Sequence, residues 1–117
     1  MSGQISKDAE GRIITGKVNK ETLEEGKRAA RFAALQAISL VHAEIGLDRI
    51  EQIVRVVGFI QSSNDFHQQS EIMNAASELL MEIFGEKGRH ARTSIGAASL
   101  PLNAAVEIEM TLKIKGA

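Results

Sequence analysis

The chain has 117 residues, enough for one domain with one core; 44% are hydrophobic, 25% are charged, and the formal net charge is −1. With basic residues scattered along a near-neutral chain, there is no basic stripe of the kind a phosphate backbone demands, so nucleic acid is not an expected partner. Cysteine is absent, which removes disulfides, thiolate metal sites and cysteine nucleophiles together, and the 3% aromatic content, all Phe, is too small for base-stacking platforms.

Met1-Ser2-Gly3-Gln4-Ile5 has neither a basic nor an apolar leader segment, and no later run approaches the roughly 18 apolar residues of a membrane span. A cytoplasmic protein without a membrane partner is expected. Lys7 to Gly16 then places Asp8, Glu10, Gly11 and Gly16 around Arg12-Ile13-Ile14-Thr15, which predicts a turn followed by a short strand.

Thr22-Leu23-Glu24-Glu25 matches a capping box, so a helix is predicted to begin at Leu23. Its apolar positions Ala30, Ala33, Ala34, Ala37, Leu40 and Val41 recur at three and four, and Gly46 stands where a left-handed stop is expected. The helix therefore runs about 23 residues. Alanines along the stripe allow its backbone close to a sheet, and Phe32, Leu35 and Ser39 form a second row.

Ile53 to Ile60 is a β-branched run that predicts a largely buried strand, with Gly58 as the expected site of a bulge. A second helix is marked by Ile72, Met73, Ala76, Leu79, Leu80 and Ile83, with Asn64 or Asp65 as its cap and Phe84-Gly85 as its end. Arg92 to Ala97 predicts another strand. In the tail, Val106, Ile108, Met110, Leu112 and Ile114 alternate with Glu107, Glu109, Thr111, Lys113 and Lys115, the pattern of a strand with one buried and one wet face. The order β, α, β, α, β, β predicts an α+β fold, a mixed sheet with two helices packed on one face.

Several motifs occur in an order that resembles the Rid (YjgF) family, the reactive-intermediate deaminases. They are Ser2-Gly3-Gln4-Ile5 with Gly11, Phe59-Ile60 with Asn64-Asp65-Phe66, Asn74, Ala91-Arg92-Thr93-Ser94 with Leu100-Pro101, and Val106-Glu107-Ile108-Glu109. Gly88-Arg89-His90-Ala91-Arg92, running into Ala98-Ser99-Leu100-Pro101, is similar to the chorismate-mutase-like branch, a label that describes a fold. The likeness covers nearly all of residues 1–117, read as one domain. Relatives carry a longer segment before the Ser-Gly-Gln motif, so the chain resembles an N-terminally shortened member with two strands missing. They also commonly have cysteine where Ser94 stands.

The resemblance implies a homotrimer with a central barrel-like core and clefts between neighbours. It further implies hydrolysis of enamine and imine intermediates, such as 2-aminoacrylate, to 2-keto acids and ammonia, with no cofactor. Arg92 would grip the substrate carboxylate through two parallel charge-assisted hydrogen bonds, a geometry lysine does not copy. Glu107 would orient or activate water, since a carboxylate in a partly dry cleft serves as a proton acceptor near neutral pH. By the same resemblance Ser94 and Ile95 offer backbone groups to the imine or keto oxygen, Asn74 supports the cleft, and Gly3 and Gln4 form another wall.

Against these roles stand plainer ones: a surface arginine paired with a glutamate, the solvated half of an amphipathic strand, and turn or packing chemistry. Glu109 is read as solvated. A non-catalytic trimer that binds small carboxylates is the main alternative function, and an endoribonuclease the third. His42, His67 and His90 lack the spacing of a metal site and have no Ser or Cys partner recognisable in sequence, so they are expected to be surface or packing residues.

Overall fold

The structure, a computed structural model, describes residues 1–116. Six regular elements follow one another: β1 (Gln4–Ile5), α1 (Leu23–Glu44), β2 (Ile50–Gln61), α2 (Gln69–Phe84), β3 (Ala91–Ala97) and β4 (Val106–Ile114). The strands form one mixed sheet in the order β1-β4-β2-β3. β4 is antiparallel to both β1 and β2, and β3 runs parallel to β2. A parallel neighbour needs a crossover, and α2 supplies it.

The predicted α+β layering stands. Val56, Ile60, Val106, Ile108 and Met110 are buried beneath the helices with Ala30, Ala33, Ala34 and Ala37 of α1 and Ile72, Met73, Ala76 and Leu80 of α2. Since successive strand residues alternate faces, Val57, Phe59, Glu107 and Glu109 project to the opposite side. There Val57 and Phe59 are half-buried, Glu109 is exposed and Ile95 is 45% exposed.

Several local expectations are corrected. The capping box lies one turn earlier than predicted: Asn19 Oδ1 accepts from the N–H groups of Glu21 and Thr22, both at 3.0 Å, and Thr22 Oγ1 accepts from the Asn19 N–H at 2.9 Å. This box closes a 3-10 turn over Lys20–Thr22, and with its hydroxyl committed there Thr22 does not cap α1. At the other end the N–H groups of Ile45 and Gly46 both donate to the Val41 carbonyl, and Gly46 takes φ +96°, the predicted stop.

The strand expected at Arg12 to Thr15 amounts to two isolated bridges, Lys7 with Ile13 and Thr15 with Ala104. Between them Ile14 donates its N–H to the Ser6 carbonyl at 3.0 Å and accepts from the Ala105 N–H at 2.9 Å, while Lys7 and Ile13 are joined by a turn in which the Asp8 N–H donates to the Arg12 carbonyl at 2.8 Å. That turn is organised by Asp8, whose Oδ1 accepts from the N–H groups of Glu10 and Arg12 at 3.0 and 2.9 Å. These bonds, the Arg12 one first, hold the Asp8 carboxyl below its usual 3.8. A lowered folded-state value stabilises above the unfolded value and is lost as pH falls through the folded one. The stability gap between the native chain and Asp8→Ala, followed by urea denaturation, is therefore expected to be full at pH 7 and to shrink below pH ~3.8.

Gly58 marks no bulge. β2 shifts register between Ile50 and Gln52 and between Ile53 and Arg55, whereas Gly58 stays paired with Ser94 and Ile108. It is glycine because α2 presses on it: a Cβ there would overlap the Met73 thioether. Asn64 and Asp65 do not cap α2, which begins four residues beyond Asp65 with no side-chain cap. Ile83, at helical spacing, is 41% exposed rather than core.

Candidate functional site

β3 is an edge strand, and α2 lies across its helix-side face. Arg92 is opposite Val56, and Ser94 is opposite Gly58. Their side chains therefore share the buried side of the sheet, where α2 meets them. Arg92 Nη1 donates to Asn74 Oδ1 at 2.9 Å and to Ser77 Oγ at 3.1 Å, while Nη2 donates to the Ser70 carbonyl at 3.2 Å. Three acceptors in successive turns of one helix thus hold the guanidinium flat against α2.

All three acceptors are neutral. Arg92 is also half-buried, where the other described arginines are exposed, and among the described residues no carboxylate lies within ion-pair distance of it. Its neighbour Arg89 shows the contrast: Nε and Nη2 donate to the two oxygens of Glu86 at 3.2 and 3.1 Å. Those bonds hold the Glu86 carboxyl below the usual carboxylate range and raise Arg89. One cation of the pair is neutralised and the other is not. A guanidinium has five N–H donors, so after these three bonds Arg92 keeps Nε–H and one Nη2–H for a ligand.

An open groove of about 320 Å³ lies here, lined by Ser77, Met81, Arg89, His90 and Arg92. Asn74, Ser77, Glu78, Met81 and Glu82 line a second groove that shares Ser77 and Met81 with it. The structure therefore brings Arg92 and Asn74 together. Ser94 follows on the same face, its hydroxyl buried without a hydrogen-bond partner, while the Ile95 side chain points to the other face.

Glu107 is elsewhere. It pairs with Phe59 of β2 and Ile5 of β1, on the face away from the helices and two strands from Arg92. Gly3 lies against it so closely that a Cβ would overlap Oε2, so Gly3 and Glu107 form a second pair. Gln4 contributes a 3.4 Å bond to the Ser2 carbonyl. Within one chain the Arg92 and Glu107 groups do not converge.

His90 has a hydroxyl partner that its neighbourhood in the sequence does not reveal. His90 Nε2 lies 2.9 Å from Ser77 Oγ, the same oxygen that Arg92 contacts, and Nδ1 is hydrogen-bonded to the Gly88 carbonyl. Ser77 and His90 are 13 positions apart, which concealed the pairing. The available signal was spacing: Ser77 is one helical turn from Asn74, and His90, just before β3, stands two positions before Arg92.

Together the sheet, its two covering helices and a half-buried arginine beside an open groove define an α+β protein with a cationic site where an edge strand meets its crossover helix. Residues 1–112 match the family described as "YjgF/chorismate mutase-like, putative endoribonuclease", and the chain belongs to that family. It is 42% identical to "Protein TCP17" of Trypanosoma cruzi, over 97% of this chain and 73% of that protein. Its fold superposes with a TM-score of 0.93 on Atu1372 of Agrobacterium tumefaciens, a protein of unknown function, at 36% identity over 98% of this chain and 76% of the other. A "putative endoribonuclease" of Shewanella oneidensis MR-1 gives a TM-score of 0.90 at 33% identity, over 97% and 76% of the two chains. Among the described residues no helix is long and apolar enough to cross a membrane.

Proposed function

We propose that the protein is a hydrolytic deaminase of enamine and imine intermediates of the 2-aminoacrylate type, releasing 2-keto acids and ammonia. The observation that carries this reading is Arg92, a half-buried cation with only neutral protein partners and two donors left over beside a groove. A carboxylate is the ligand such a fork suits. Enamines already tautomerise and hydrolyse in water, so positioning and a proton path suffice and no cofactor is needed.

Because Arg92 and Glu107 face opposite sides of the sheet, they serve one cleft only if neighbouring copies supply one each. This favours the homotrimer, with the half-buried Val57 and Phe59 and the exposed Ile95 on its contact face. Light scattering of the purified chain is expected to give the mass of three copies; a monomer at micromolar concentration would remove the shared cleft. We place the protein in the cytoplasm as one domain.

The decisive assay generates 2-aminoacrylate in situ and follows keto acid formation against the spontaneous rate. A rate above background supports the deaminase. Saturable keto acid binding with no rate would instead establish the non-catalytic carboxylate binder. Some relatives carry the name "putative endoribonuclease", but a net charge of −1 gives RNA no electrostatic foothold. RNA cleavage by a nuclease-free preparation, lost in Arg92→Ala, would reverse that judgement.

Gly3→Ala tests the second wall. Its methyl would displace the half-exposed Glu107 carboxylate, a side chain with room to move, so the stability change is expected to stay within about 0.5 kcal/mol. Turnover is expected to fall while keto acid binding at Arg92 persists. Unchanged turnover would separate Glu107 from the chemistry.

A further inference from the structure

The bonds around Ser77 have a fixed direction. A backbone carbonyl only accepts, so the contact of His90 Nδ1 with the Gly88 oxygen puts the ring proton on Nδ1. In the neutral ring Nε2 is then an acceptor, and the Ser77 hydroxyl must donate to it across 2.9 Å. The serine oxygen in turn accepts from Arg92 Nη1 at 3.1 Å. The series therefore runs from Arg92 to Ser77 to His90 to Gly88. Gly88 is buried, with the Leu80 carbonyl of α2 packed against its Cα, so the far end is anchored to the helix that carries Ser77.

This is the arrangement of an activated hydroxyl: a base within reach, the base held in one tautomer by a third group, and a cation beside the oxygen. Both Ser77 and His90 line the groove beside Arg92. A simple packing histidine does not need an ordered hydroxyl between itself and an otherwise uncompensated arginine.

We propose that Ser77 is a catalytic residue and His90 the positioning and proton-storing residue behind it, together forming the proton path for the imine that Arg92 holds by its carboxylate. The proposal rests on the deaminase reading of the Arg92 site and assigns proton transfer to the same chain and face as Arg92, leaving to Glu107 of a neighbouring copy the orientation of the attacking water. Water adds to the imine carbon, forming the C–O bond, as its proton passes to Ser77 Oγ and the serine proton passes to His90 Nε2. The C=N π electrons move onto nitrogen, which takes the proton back from His90 through the same hydroxyl. On collapse the carbinolamine O–H proton follows that route again, the C–N bond breaks, and nitrogen leaves with the returned proton as ammonia. His90 and Ser77 end as they began.

The test compares the native chain with His90→Ala, Ser77→Ala and Ser77→Thr, using in situ 2-aminoacrylate for turnover and pyruvate titration for binding. General acid–base groups contribute roughly 100-fold or more. His90→Ala is therefore expected to lower kcat by about 100-fold while the pyruvate Kd stays within about twofold, and added imidazole is expected to restore part of the rate. Ser77→Thr is expected to keep most of the activity that Ser77→Ala loses. If the native enzyme binds and turns over but His90→Ala keeps its kcat, or loses it with no imidazole rescue, the proton path is wrong and the Arg92 reading survives. If the native chain neither binds pyruvate nor exceeds the spontaneous rate, both fall.

Discussion

Arg92→Lys is expected to weaken pyruvate binding about 100-fold, close to 2.7 kcal/mol, although the charge is kept. Charge-assisted hydrogen bonds contribute roughly 1.5–3 kcal/mol each, and the ammonium replaces a planar fork with a point charge on a flexible stem. The loss is compounded by position. Asn74, Ser77 and Ser70 together hold the guanidinium against α2, and a single ammonium cannot keep three separated acceptors while presenting two parallel donors outward. Arg92→Ala is expected to abolish hydrolysis altogether. Both variants should fold, because the groove is open and no carboxylate is left unpaired by the change; a circular dichroism melt checks this. A lysine variant that binds as tightly as the native chain would mean that charge alone, not the fork, holds the ligand.

Where periodicity carries the information, the sequence foretold the structure. The alternation from Val106 to Ile114 became β4 with its bounds unchanged, and the alanine stripe became the buried face of α1, because burial on one face imposes a period regardless of distant partners. Where a partner decides the outcome, it did not. Gln4 and Ile5 form a strand only because β4 runs beside them, while Ile13 and Ile14, more strand-like in composition, find only short partners, Lys7 for Ile13 and Ser6 and Ala105 for Ile14, and stay as bridges. Gly58 looked like a bulge because a sequence does not distinguish a kinked strand from a flat one pressed by Met73. The site divided in the same way. Arg92 and Asn74 were legible from motifs, whereas the bond between Ser77 and His90 depends on how the turn over residues 85–88 carries the chain back from α2 to β3.

That turn is also where a single methyl is expected to do the most damage. A Cβ at Gly88 would run into the Leu80 carbonyl, and one at Gly58 into the Met73 side chain. Overpacking in a dense interior costs roughly 1–3 kcal/mol, and the two sites should fall at opposite ends of that range. Met73 is fully buried but has three rotatable bonds, so Gly58→Ala is relieved in part by a change of rotamer and is expected to cost about 1–2 kcal/mol. The Leu80 carbonyl belongs to the backbone of α2, and it moves only if the helix end moves; Gly88→Ala is therefore expected to cost about 3 kcal/mol, read from urea midpoints at constant m-value. The second effect separates the sites further. The Gly88 carbonyl fixes the His90 tautomer, so displacing it should lower turnover beyond what the remaining folded fraction explains, whereas Gly58→Ala should leave activity per folded molecule unchanged. A Gly88→Ala protein as stable as the native chain would show that the turn floats free of α2, and the histidine would then have no fixed anchor.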